Sequence, residues 1–251
     1  MNHKTYFLLL GQLLATTVSA SALHDLRPCT HSSPFTVETK PKYQALKLPA
    51  PLVGYCLTLA SSKLQEKVCM QGSYEPEKEQ QSSYFKMSYW QGSKRRLEWR
   101  SDGFLLSPAD SFAVELVNVD GDNSAELVVS VMTGEGMGMG VQSADIFVID
   151  RQKYSVSQPM PVEDYGRVSG FYGRTGQACR LLATSWDSIE DKQHGFGLYA
   201  RGTWQQVKNG QWMESTALPK VSRRYLFRFQ DERDKATAPL LWFLDKTAVL
   251  D

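Results

Sequence analysis

The sequence predicts an all-β protein, either a propeller-like array of antiparallel hairpins or a two-sheet sandwich, with few short helices. Three observations carry this reading. Short runs with alternating or β-branched apolar residues recur at 84–89, 96–99, 112–117, 127–132, 144–149, 180–184, 196–205, 211–213 and 224–229. Turn signals separate them, among them Gln91-Gly92-Ser93, Ser101-Asp102-Gly103 and Lys208-Asn209-Gly210. No stretch keeps a 3.6-residue apolar period over three turns, and the best helical candidates are short pieces at 61–66, 162–165 and 231–235.

Taken in order, the chain opens with the three parts of a signal peptide. Lys4 lies in a short polar start, an apolar run covers 6–14, and Val18-Ser19-Ala20-Ser21-Ala22 supplies small residues where cleavage after Ala20 or Ala22 is expected. The apolar run is too short for a permanent bilayer anchor, and no later run is long enough to cross one, so no stable membrane insertion is expected after cleavage. Residues 1–22 thus read as the export signal and 23–251 as a single β-rich domain of about 230 residues, large enough for a real core. Removing the signal takes one of the 28 Lys+Arg and none of the 27 Asp+Glu, leaving 27 of each. A neutral balance gives no electrostatic footprint for nucleic acid or anionic lipid.

Cys29, Cys56, Cys69 and Cys179 all follow the signal, and no two have CxxC spacing. In an exported chain an even count favours disulfides. Of the three connectivities, Cys56–Cys69 with Cys29–Cys179 is preferred. Cys56 and Cys69 sit on neighbouring strand-like runs, where a cross-strand bond is within reach. A periplasmic or secreted location follows from signal and cysteines together.

Between 74 and 83 the chain is polar and aperiodic, as a solvated loop should be. Asn209-Gly210, flanked by Trp204 and Trp212, is the cleanest hairpin signal, because a type I′ turn needs two residues tolerant of positive φ. Blocks beginning near Tyr55, Ala113, Cys179 and Arg224 are loosely alike, which keeps the propeller-like array in view.

One segment carries chemistry. Asn118-Val119-Asp120-Gly121-Asp122-Asn123-Ser124-Ala125-Glu126 lies between two strand-like runs. Side-chain oxygens of Asn118, Asp120, Asp122 and Glu126 fall at its first, third, fifth and ninth places, with the backbone carbonyl of Ser124 at the seventh. Oxygens at alternate places of a tight loop converge, and a hard cation such as Ca²⁺ takes six to eight of them. An EF-hand is excluded, since counting from Asp120 puts Ala125 where the glycine belongs and Val131 where the bidentate glutamate belongs. Asp-Gly-Asp-Asn is also ordinary turn composition, so a metal-free turn is the competing reading.

Over residues 117–132 these residues resemble the loop of FG-GAP (VCBS-type) repeats, D-x-D-G-D-x-x-x-D-L ahead of an apolar strand, present here in a single copy. Families with this loop are commonly β-propeller or propeller-like extracellular proteins that bind Ca²⁺ within a blade. Carried over, the resemblance implies Asn118, Asp120, Asp122 and Glu126 as side-chain ligands and Ser124 as the carbonyl ligand. Neutral Asn118 stands in place of the leading carboxylate and Asn123 where glycine is frequent. Three acidic ligands place the affinity in the range of extracellular modules, about 10⁻⁴–10⁻³ M.

Other features point elsewhere less strongly. The glycine-rich stretch 133–140 is followed by a strand-like run instead of the helix a phosphate loop needs, and Met132, Met137 and Met139 lack a histidine partner for Cu(I). The acidic group Asp187-Ser188-Ile189-Glu190-Asp191 follows the 181–186 run and reads as a solvated loop. There is no G-x-S-x-G elbow; the one S-x-x-K, Ser83 to Lys86, puts its two groups on opposite faces of a strand. His24, His31 and His194 have no patterned partner. Trp90, Trp99, Trp186, Trp204 and Trp212 fall on strands and should pack, with two or three available for recognition. The expected function is therefore a non-catalytic exported protein with a structural Ca²⁺ loop, binding a protein or glycan partner in the cell envelope. The alternatives are an envelope hydrolase with a carboxylate site and an immunity or inhibitor protein against a toxin or lytic enzyme.

Overall fold

The computed structural model of the chain describes residues 26–29, 35–36, 52–59, 65–73, 84–102, 112–122, 124–135, 141–165, 169–191, 195–221 and 223–225. The strands in chain order are β1 (Arg27–Pro28), β2 (Phe35–Thr36), β3 (Leu52–Leu59), β4 (Glu66–Ser73), β5 (Tyr84–Gln91), β6 (Lys94–Asp102), β7 (Phe112–Val117) and β8 (Glu126–Glu135). They continue with β9 (Val141–Asp150), β10 (Ser155–Val156), β11 (Met160–Tyr165), β12 (Gly170–Gly173), β13 (Arg180–Asp191), β14 (Gly195–Lys208), β15 (Gln211–Glu214) and β16 (Arg224–Tyr225). No helix occurs among the described residues, and none there is long and apolar enough to cross a membrane.

The strands form three antiparallel sheets: an N-terminal meander β2-β3-β4-β5-β6, a central sheet of β7 to β11, and a C-terminal sheet of β12 to β16 to which β1 is added. One core cluster joins Val68, Met70, Phe85, Met87 and Tyr89 of the N-terminal sheet to Val114, Val129, Val131 and Phe147 of the central sheet. A second joins Val128, Ile146, Val148 and Val162 of the central sheet to Phe171, Leu181 and Ala183 of the C-terminal sheet. The sheets are thus stacked as layers of a sandwich, with a third layer beyond the two expected. A strand covered on both faces has no polar side, which is why Leu127, Val128 and Val129 in β8, and Ile146, Phe147, Val148 and Ile149 in β9, are all buried. Each large side chain so buried contributes roughly 1.5–3 kcal/mol.

Asn209 and Gly210 close the β14–β15 hairpin with φ of 54° and 74°, as the I′ composition requires. Cys29–Cys179 and Cys56–Cys69 are the two disulfides, and Cys56 stands directly opposite Cys69 in the β3–β4 register.

Two local expectations are overturned. Residues 162–165, offered as helical, belong to β11, which pairs with β9 from Met160↔Ile146 to Tyr165↔Val141; a free edge of the central sheet decides what a weak local preference does not. The acidic group 187–191 is not a loop but the far end of β13, paired with β14 as far as Asp191↔Gly195. The third helical candidate and the export signal, 231–235 and 1–22, lie outside the described residues, as do the polar segment 74–83 and residues 61–64 of the first candidate, whose last residue, Glu66, opens β4.

Candidate metal centre

The 118–126 loop joins β7 to β8 and is organised by its own short polar side chains. Asn118 accepts from Gly121 N–H through Oδ1 at 2.7 Å, while its Nδ2 donates to the Asp122 carbonyl. Asp120 Oδ1 accepts from Asp122 N–H at 3.0 Å, and Asp122 Oδ1 from Ser124 N–H at 2.6 Å. Such side-chain-to-backbone bonds are the usual way Asn and Asp fold a turn back on itself. Gly121 has φ of 89°, and a Cβ there would come within 3.2 Å of the Ala178 Cβ. Both the left-handed backbone and the close approach call for glycine.

Glu126 differs from the two aspartates. Its residue is only 4 % exposed, and Oε2 accepts from Val119 N–H at 2.8 Å. Burial, with the charges of Asp120 and Asp122 adding to it, pushes its carboxyl up to about 7 against the bond from Val119. Carboxylate oxygens of Asp120, Asp122 and Glu126 lie within 4.8 Å of one another. Two ligands of one Ca²⁺ at about 2.3–2.6 Å are separated by no more than about 5 Å, so the grouping fits a single ion of that size. Hard oxygen donors, two exposed and one buried, also suit it. Asn118 carries a further job: its amide clamps the loop, and a carboxylate at that place could not donate to the Asp122 carbonyl. The Ser124 hydroxyl accepts from Gln152 Nε2 at 2.9 Å, which fixes the residue whose carbonyl the sequence assigns to the ion.

All three sheets meet this loop. Arg151, in the turn after β9, donates from Nη1 to the Ala125 carbonyl at 3.0 Å. The same guanidinium holds both oxygens of Glu66 on β4, with Nε to Oε1 at 3.0 Å. Cys179, just before β13, donates its N–H to the Asn118 carbonyl at 2.8 Å, and Arg180 at the start of β13 donates from Nη1 to the Val119 carbonyl at 3.2 Å. Beside the loop a cavity of about 130 Å³ is lined by Asp120, Glu126, Asp150, Lys153 and Ser157. Lys153 is bonded to Asp150, and that bond, with the fields of Asp150, Asp120 and Asp122, raises its ammonium pKa.

Of the residues outside the loop, Glu66, Arg151 and Gln152 escaped the sequence reading. Glu66 and Arg151 are 85 positions apart, so no local spacing links them. Of the tryptophans, Trp204 is buried and donates to the Pro219 carbonyl at 2.7 Å, Trp99 packs on Phe147 with ring centroids 4.9 Å apart, and Trp186 is 47 % exposed. Met132 ends in a partly buried position on β8, whereas Met137 and Met139 lie outside the described residues. The chain matches no family model, no curated protein and no solved structure.

Proposed function

We propose that this is an exported, non-catalytic β protein whose 118–126 loop holds a structural Ca²⁺ ion, and which binds a protein or glycan partner in the cell envelope. The observation that carries the calcium reading is the convergence of Asp120, Asp122 and the buried Glu126 at a point tied to all three sheets. A buried carboxyl pushed up to about 7 beside two further carboxylates is a place where a bound cation relieves electrostatic cost. Two disulfides, and no membrane-spanning helix among the described residues, are compatible with a secreted or periplasmic protein. Support for a partner comes from the far half of the β13–β14 hairpin. There Trp186 and Phe196, 47 % and 75 % exposed, share one face through the pairs Trp186↔Ala200 and Glu190↔Phe196.

Thermal melting with and without Ca²⁺ tests the ion. With Kd of about 10⁻⁴–10⁻³ M, 10 mM Ca²⁺ adds roughly 1.4–2.7 kcal/mol, or about 3–10 °C for a domain of this size. Asp122→Ala should lose that shift. An unchanged midpoint, or equal shifts in both proteins, removes the ion from the account. For the partner, a protein or glycan retained by the wild type and by Asp122→Ala, but released by Trp186→Ala with Phe196→Ala, is the expected result. Retention by the aromatic double variant refutes that surface.

A further inference from the structure

A second cavity, of about 220 Å³, opens between the central and C-terminal sheets and shares no lining residue with the acidic loop. Its walls include Val128, Ile146, Val162, Phe171 and Leu181, and Glu115 of β7 joins the lining. The first five are buried residues of the core between those two sheets. An enclosed apolar cavity of about 150 Å³ takes benzene, so this open-sided one has room for a six-membered ring and a short substituent.

Glu115 is the one ionisable side chain among the described residues of this lining, and it makes no hydrogen bond or ion pair with any described residue. Its strand neighbour across the ladder is Val128, which offers it no polar contact. Burial raises its pKa, the expected response of a carboxylate set against an apolar wall. Ser130, also in the lining, adds a hydroxyl that makes no bond to another described residue. A half-buried negative group facing an apolar chamber is complemented by a ligand that brings its own positive hydrogen-bond donor and an apolar body.

We propose that this cavity binds a small primary ammonium compound with an apolar body, its hydrocarbon part between Val128, Ile146 and Phe171 and its –NH₃⁺ on the Glu115 carboxylate. Charge complementarity selects the cation, and the cavity has room for about one ring. The site shares no residue with the 118–126 loop, so it stands or falls independently of the calcium reading.

The test uses benzylamine and its neutral isostere benzyl alcohol on the full disulfide-bonded chain, with binding followed by calorimetry and by amide shifts in NMR spectra. The expected result is benzylamine bound about tenfold more tightly than benzyl alcohol, the ratio a single charge-assisted contact of about 1.4 kcal/mol gives. The shifting amides should include Val128, Ile146 and Phe171. Glu115→Gln should weaken benzylamine about tenfold and leave benzyl alcohol unchanged. Val162→Phe, which fills the chamber, should weaken both; should that variant not fold, the amine–alcohol comparison on the wild type still decides. Equal affinity for the two compounds, no binding of either at millimolar concentration, full affinity of Glu115→Gln for benzylamine, or shifts confined to Asp120–Glu126 would each overturn the assignment.

Discussion

Replacing Arg151 by methionine removes a side chain that ties the N-terminal sheet to the base of the acidic loop. Its guanidinium grips both oxygens of Glu66 and the Ala125 carbonyl, with side-chain exposures of 25 % for Arg151 and 2 % for Glu66. Tyr89 donates its hydroxyl to the same carboxylate, and burial together with that bond pushes the phenol up to about 12. Taking one partner from a fully buried ion pair costs about 3–5 kcal/mol, because the remaining charge keeps its desolvation penalty. Water reaches a quarter of Arg151, and Tyr89 still holds Glu66, so we expect about 2–4 kcal/mol. In a domain of this size that lowers Tm by roughly 5–15 °C. Urea and thermal melts of wild type, Arg151→Met, Glu66→Gln and the double variant measure it as a cycle. The double variant should be more stable than Arg151→Met, with a coupling above about 1 kcal/mol, since the neutral amide no longer needs the guanidinium. A midpoint for Arg151→Met within about 0.5 kcal/mol of wild type, or additive single effects, would refute the bridge as a determinant of sheet docking.

Two further outcomes follow from individual positions. Glu126 is held up at about 7 when folded against about 4.5 for a free glutamate, so between those values the folded state binds the extra proton. Ion-free protein should therefore lose stability as pH rises from about 4.5 to 7, by up to about 3 kcal/mol, while Glu126→Gln flattens that slope; parallel pH profiles in chelator would count against it. At Gly197 a Cβ would meet the Tyr225 ring at 2.7 Å, so Gly197→Ala should displace β16 from β14 at about 1–3 kcal/mol, read as faster amide exchange at Tyr225 and Ala200; unchanged exchange would show the ring moves aside freely.

How much of this was legible in the sequence depends on the range of the interaction involved. The runs at 84–89, 112–117 and 144–149 lie inside β5, β7 and β9, because alternation and β-branching act within a strand. The Asn209-Gly210 turn was readable for the same reason, its two positive φ values being a property of two adjacent residues. The convergence of Asp120, Asp122 and Glu126 was readable too, since alternate places on a turn face one way. The third layer was not. Leu127-Val128-Val129 shows an unbroken apolar run, which a strand covered on both faces and a buried helix produce alike. Nor does 187–191 betray its strand: its pairing partner begins at Gly195, and exposed strand ends carry acids as readily as loops do.

The long-range contacts change what a cation in the acidic loop would stabilise. Taken alone, 118–126 is a turn between two neighbouring strands, and a cation there would stiffen one hairpin of the central sheet. In the folded chain the Asn118 and Val119 carbonyls are held from Cys179 and Arg180, and Cys179 is bonded to Cys29, beside β1 of the same C-terminal sheet. On the other side the Ala125 carbonyl is held by Arg151, whose remaining donors reach β4. A loop anchored from both outer sheets cannot relax its carboxylates apart without disturbing both interfaces, so repulsion among Asp120, Asp122 and Glu126 is borne by the whole stack. That is the physical reason to expect an ion here to raise global stability, and why the melting midpoint, a property of the entire domain, is the right quantity to read.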